Sequence, residues 1–233
     1  LALSRCYYHM YDRQTALKWL YRLQRQIDDH QLDALRSEAY YFTGAIYIEE
    51  EVVDSAEKYA FKAIELMQKG KDHGKLSKTY CTLVELYLNT SGNVDKIERM
   101  LELAETHAKL SDDPLTMAFV ESKKYNYAFF FRKDYAAALG HVLESERLYR
   151  QTNNREAILN AMRAKAECFI MLKDTSAREY MNAWVQVKDS VLQEEKAKEV
   201  AQFETLYETG LKEQENALLR QQNELSNQQI RSR

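Results

Sequence analysis

The 233-residue chain carries 33 Lys and Arg against 36 Asp and Glu, a net charge of −3, and no basic stripe runs through it, so direct nucleic-acid binding is not expected. One proline and six glycines fall far below ordinary usage of about 5% and 7%, which points to an all-helical chain. Hydrophobic residues make up 45%, enough for a core, yet no run of about 18 apolar residues exists that would cross a membrane.

The stretch Tyr40–Lys69 sets the pattern for the rest. Tyr40, Gly44, Tyr47 and Ile48, and then Ala56, Ala60, Ala63, Ile64 and Met67, recur at helical spacings and give two amphipathic helices. Gly44 and the alanines are small enough to let two helix backbones cross closely. Taken in chain order, the first unit places Ser4, Tyr7, Ala16, Leu20 and Leu23 at the positions of Gly44, Tyr47, Ala56, Ala60 and Ala63. The third has Val84, Tyr87, Ile97, Leu101 and Ala104, after a one-residue insertion at Ser91-Gly92-Asn93. The fourth has Asn126, Phe129, Ala138, Val142 and Ser145; the fifth has Lys165 or Ala166, Cys168 or Phe169, Ala177, Tyr180 and Trp184.

Polar boundaries at 28–30, 69–74, 111–114 and 151–154 give units near 1–30, 31–72, 73–111, 112–152 and 153–187. Asp113-Pro114 reads as an N-cap followed by proline at the first helical position. The inner turn at Glu49-Glu50-Glu51 lacks Gly or Asp, and that acidic run reads as a solvated helix end. From Arg178 onward there is one glycine and no proline, so 178–233 is expected to be a long connector helix after the array 1–177. Val200, Phe203, Tyr207, Leu218 and Leu225 lie on a heptad-like seam there, which suits a homodimeric coiled coil; a solitary docked helix is the alternative.

A small residue, tyrosine three later and alanines twelve and nineteen later resembles the tetratricopeptide repeat, a helix–turn–helix unit of about 34 residues. The period here is near 40, as in HEAT-like pairs, and the small-residue and tyrosine positions favour the former. The resemblance implies a right-handed solenoid of helical hairpins, about five units long. The tail, with KDS at 188–190, QFETLYE at 202–208 and ENALL at 215–219, is similar to the segment that joins such repeats to the membrane in bacterial repeat-containing sensors. In that family a membrane helix and a histidine kinase or helix-turn-helix output follow. The resemblance implies an extracytoplasmic, periplasmic sensory domain, tied to the membrane only through a segment beyond this chain. The other reading is a soluble, cytoplasmic repeat adaptor.

Catalysis is not expected. His9, His30, His73, His107 and His141 are more than twenty residues apart, and no HExxH, GxGxxG, P-loop or GxSxG motif occurs, so neither metal nor cofactor is called for. Cys6, Cys81 and Cys168 are odd in number and widely separated, and read as buried structural thiols. A solenoid offers its concave face, lined by the first helix of each unit. The repeat register places Arg5, Tyr8, His9, Tyr41, Ile48, Glu85, Lys123, Tyr127, Phe130 and Phe131 there. Aromatic and sparsely charged, this set suits an extended peptide or protein segment, or an apolar ligand. The Lys/Asn/Arg set with which some repeat proteins hold a chain-terminal carboxylate is missing.

Overall fold

The computed structural model describes the chain apart from residues 11, 28–31, 91, 195, 199–200, 203–204, 206–208, 211 and 213–233, and the side chain of His9. It divides into two compact units, Leu1–Met181 and Asn182–Arg233. The first is helical throughout its described length: α1 (Ala2–His9), α2 (Arg13–Ile27), α3 (Asp33–Glu49), α4 (Val53–Lys69), α5 (His73–Asn89), α6 (Val94–Ser111), α7 (Pro114–Asn126) with a π-helical turn (Tyr127–Arg132), α8 (Tyr135–Gln151) and α9 (Arg155–Met171). Residues 177–181 are helical and close this unit. Of the second unit, 182–194 are helical and Lys188 lies 5.3 Å over the Trp184 ring. The connector positions Val200, Phe203, Tyr207, Leu218 and Leu225 lie outside the described residues.

The helices pack in sequence-adjacent pairs, α1 on α2, α3 on α4, α5 on α6 and α7 on α8. Neighbouring pairs join through α2 on α3, α4 on α5 and α6 on α7, α9 packs on α8, and α5 also packs on α3 and α7. The small residues do what their spacing predicts in the second pair. A Cβ on Gly44 would stand 3.3 Å from the Ala60 backbone nitrogen and 3.5 Å from the Ala56 carbonyl, so α3 and α4 cross almost backbone to backbone.

The turns repeat one device. Lys71, Gly92, Asp112, Lys133, Asn153 and Lys173 adopt left-handed conformations, and each immediately precedes an Asp or Asn. That next residue accepts from a backbone N–H of the following segment: Asp72 from Lys75, Asn93 from Lys96, Asp113 from Leu115 and Thr116, Asp134 from Ala137, Asn154 from Ala157 and Asp174 from Ser176. One residue thus ends a helix and its neighbour starts the next. Glu51 is also left-handed, but Val52 follows and gives no side-chain cap.

The largest core lies among α3–α6 and includes Ile64, Met67, Leu76, Leu83, Leu86, Tyr87, Ile97 and Leu101. Smaller clusters hold α1–α3 around Ala16, Leu20 and Ile46, and α7–α9 around Tyr125, Val142, Ala164 and Cys168. Cys81 and Cys168 are buried, and burial pushes the Cys81 thiol up to about 12 and Cys168 to about 11. Cys6 is exposed, contrary to the expectation from sequence: two residues on from the buried Ser4, it stands on the opposite side of α1.

Candidate functional site

The predicted concave-face residues separate into three groups. At the N-terminal end, Tyr8 donates to Glu49, and Arg13 bonds the other oxygen of the same carboxylate at 3.0 Å. Arg5 lies 5.0 Å over the Phe42 ring, which Tyr8 and Tyr41 both meet edge-on. Burial first, and then the Glu49 carboxylate, raise the Tyr8 pKa; Tyr41 is raised by burial. His9 ends α1, and its side chain lies outside the description.

Ile48 does not belong to this face. It is 7% exposed and packs in the α3–α6 core. A residue four after Gly44 sits next to the helix stripe that Gly44 itself buries, so the crossing takes it inward.

Glu85, Lys123, Tyr127, Phe130 and Phe131 come together where α5 meets α7. Lys123 is 8% exposed and donates to Glu85 Oε2 at 2.7 Å, while its ammonium stands 5.0 Å from the Phe119 ring centre. Tyr127 donates to Glu98 at 2.7 Å and stacks on Phe131, ring centres 5.7 Å apart. Burial and then Glu98 raise the Tyr127 pKa. The π-turn opens the backbone of the YAFFFR run, and π-turns recur at functional sites. Phe129 turns toward Tyr135 on α8, and Phe130 is left 63% exposed. Beneath them lies a cleft of 230 Å3 lined by Glu85, Leu88, Asn89, Asn126, Phe130 and Phe131.

On the other side of α7 is a second cleft, which the sequence did not reveal. It measures 340 Å3 and lies between α7 and α9, over α8. Its floor is Val142, Ser145, Tyr149 and the small face Ala157, Ala161 and Ala164, and Asn126, Asn160 and Arg163 stand along it. Asn126, taken from its spacing as a crossing residue equivalent to Gly44, instead borders both clefts. Among the described residues, the side-chain amides of Asn89, Asn126 and Asn160 make no hydrogen bond within the protein. The unpaired amides of two successive first-helices bracketing a cleft were the signal available in the sequence, but only packing shows that the helices part there.

Sequence spacing also separates His73 from His107, whereas the fold sets their Nδ1 atoms 3.0 Å apart, with Tyr80 stacked on His107. Among the described residues, no three His, Cys, Asp or Glu side chains gather closely enough to hold a metal ion, and no helix is long and apolar enough to cross a membrane. A further hollow of 550 Å3 around Phe61, Tyr80 and Leu103 on α4–α6 touches none of the predicted positions. Compared with known proteins, the chain matches no family model and no curated protein.

Proposed function

We propose that the chain is a non-catalytic, tetratricopeptide-like interaction module whose ligand is an extended peptide or protein segment laid across α5, α7 and α9. The observation that carries this reading is the pair of clefts straddling α7, bordered by amides free to bond a ligand. A primary amide offers both a donor and an acceptor, the complement of a peptide group, and the apolar floors suit inserted side chains. Their combined reach over α5, α7 and α9 favours an elongated ligand over a compact one.

The tail sequence supports a more specific setting, the periplasmic sensory part of a membrane-anchored bacterial signalling protein, with a homodimeric connector carrying the effect of ligand binding outward. A bound ligand passes a signal only by favouring one arrangement over another. If the tail does not pair, the chain is better read as a repeat adaptor.

Selection of random dodecapeptides against the chain tests the binding face. Peptides recovered above background should lose at least tenfold in affinity on Ala161→Trp, which fills the α7–α9 cleft, and on Asn126→Ala. Failure to recover any peptide, or recovery of peptides indifferent to both changes, overturns the reading. Sedimentation tests the connector: Leu218→Asp with Leu225→Asp should convert a dimer to a monomer, and a wild-type monomer refutes the dimeric connector.

A further inference from the structure

We propose that the α5–α7 cleft is a binding site for an organic cation, an ammonium or guanidinium group, with Lys or Arg of the peptide ligand as its source. This deepens the reading of α5, α7 and α9 as a ligand face and rests on it for the peptide.

The cleft combines two aromatic rings with a half-used carboxylate. Phe130 is held by its neighbours edge-on, by Phe129 at 4.9 Å and 68° and by Tyr125 at 6.1 Å and 72°, so a ring face remains open, and the residue is 63% exposed. Phe131 is fixed from both sides. Tyr127 stacks on it, and Gly92, at φ +58°, approaches so closely that a Cβ there would stand 3.1 Å from Phe131 Cε2. One ring is a rigid wall and the other an open face.

Glu85 supplies the charge. Its side chain is 47% exposed, and Lys123 takes only Oε2. Among the described residues, Oε1 accepts no hydrogen bond. Asn89 and Asn126 add amide oxygens at the same cleft. A purely apolar occupant would strip water from the free carboxylate oxygen without replacing its hydrogen bonds, which is costly. A cation satisfies that oxygen and lies against the open Phe130 face, since an aromatic face attracts positive charge within about 6 Å. An anion is disfavoured by Glu85, since the neighbouring cation, Lys123, is almost buried and already engaged by Glu85 and the Phe119 ring. The volume of 230 Å3 admits such a group together with the stem that carries it.

The experiment is an NMR titration of the full chain with Nα-acetylargininamide, and with Nα-acetylglutamine amide as the neutral control. Saturable shifts are expected at Phe130, Phe131, Asn89 and Asn126 with the cation and not with the control. Phe130→Ala, which removes a ring 63% exposed, should weaken binding at least tenfold, as should Glu85→Gln, whereas Phe130→Trp should retain it. Absence of saturable shifts, equal response to the control, or a Phe130→Ala variant that titrates like wild type overturns the proposal. An alanine-rich peptide with one central Arg separates the sources. Binding at least tenfold tighter than the amide identifies a polypeptide ligand; equal binding refutes the peptide source and identifies a small free cation. Selected peptides that depend on Ala161 while the amide leaves Phe130 unmoved refute the cation site alone. Amide binding without any selected peptide refutes the peptide face alone.

Discussion

Between α3 and α6, helices cross on small residues and large apolar side chains fill the remaining space. Between α7 and α9, the helices meet chiefly through α8, and charges bridge what is left. In the first region Gly44 sits against Ala60, and Leu76, Leu83, Leu86 and Ile97 are almost wholly buried. In the second, Glu146 is buried and receives both Arg150 and Lys165, and Tyr125 donates to Glu167 across the pair boundary. Apolar packing resists any change of spacing, because a void forfeits contacts outright. A buried ion pair gains little net energy over an apolar substitute, since desolvation offsets attraction. One pattern thus yields a stiff apolar block and a charge-bridged one; the two clefts beside α7 border the second, and the 550 Å3 hollow opens on the first.

The largest test removes equal chemistry from each block. Leu83→Ala should cost about 4 kcal/mol, because the surrounding core cannot collapse, and Leu148→Ala about 2 kcal/mol, both within the usual range for such truncations. Denaturant unfolding with hydrogen exchange on each block checks the pair of values. Equal losses would erase the distinction.

The second test breaks the charges. Glu146→Ala leaves Lys165, whose side chain is 14% exposed, without its carboxylate, and should cost about 3 kcal/mol. Burial works to raise the Glu146 pKa, but the bonds from Lys165 and Arg150 outweigh it and hold the carboxyl below its usual 4.5. With the folded value depressed, the stabilisation is present above pH 4.5 and is lost as the pH falls through the folded pKa. Acid below pH 4.5 should therefore open α8–α9, and Glu146→Gln should flatten that part of the pH profile.

Much of the helical order was legible because it is written locally. Gly44 with Ala56, Ala60 and Ala63 announced a close crossing, and Asp113-Pro114 announced a helix start that the Asp113 carboxylate does cap. The polar boundaries at 69–74, 111–114 and 151–154 do hold junctions, and the structure adds their common form: Lys71-Asp72, Gly92-Asn93, Asp112-Asp113, Lys133-Asp134, Asn153-Asn154 and Lys173-Asp174 recur every 20 or 21 residues as a left-handed residue followed by a cap. The α7–α9 cleft was not legible, because the gap depends on how two helices rest on a third. Ile48 and Asn126 show the same limit from opposite sides. Their spacing put one outside and the other in a crossing, and packing reversed both.

The turns give a third test, because the same left-handed device occurs in both blocks. Lys133 holds φ 54° with a side chain that disfavours it, so Lys133→Gly should stabilise by about 1 kcal/mol. Gly92→Ala meets both the positive φ and the Phe131 ring and should destabilise by about 2 kcal/mol. Thermal unfolding of both variants checks the signs. A neutral Gly92→Ala would mean that Phe131 can yield, and would weaken its role as a fixed wall.

The smallest expected effect lies within the stiff block, at the start of α5 and the last turns of α6. The His73 and His107 ring centres are 5.2 Å apart and their Nδ1 atoms 3.0 Å apart, so the two nitrogens lie nearly on the line between the rings. That space holds one proton, donated by one ring and accepted by the other, and a doubly charged pair would set two N–H groups against each other. Burial first, and then His73, lower the His107 pKa from its usual 6.5. A folded state that binds its proton less readily than the unfolded chain loses stability as the pH falls from 6.5 through the folded value. The loss grows with the distance of the folded value below 6.5 and rests on this one imidazole. Hydrogen exchange should thus show α5–α6 loosening as the pH falls below 6.5, whereas the loss at α8–α9 begins only below 4.5. His107→Gln should abolish the earlier step and leave the later one. If the earlier step survives that change, the stiff block owes its acid sensitivity to something other than this pair.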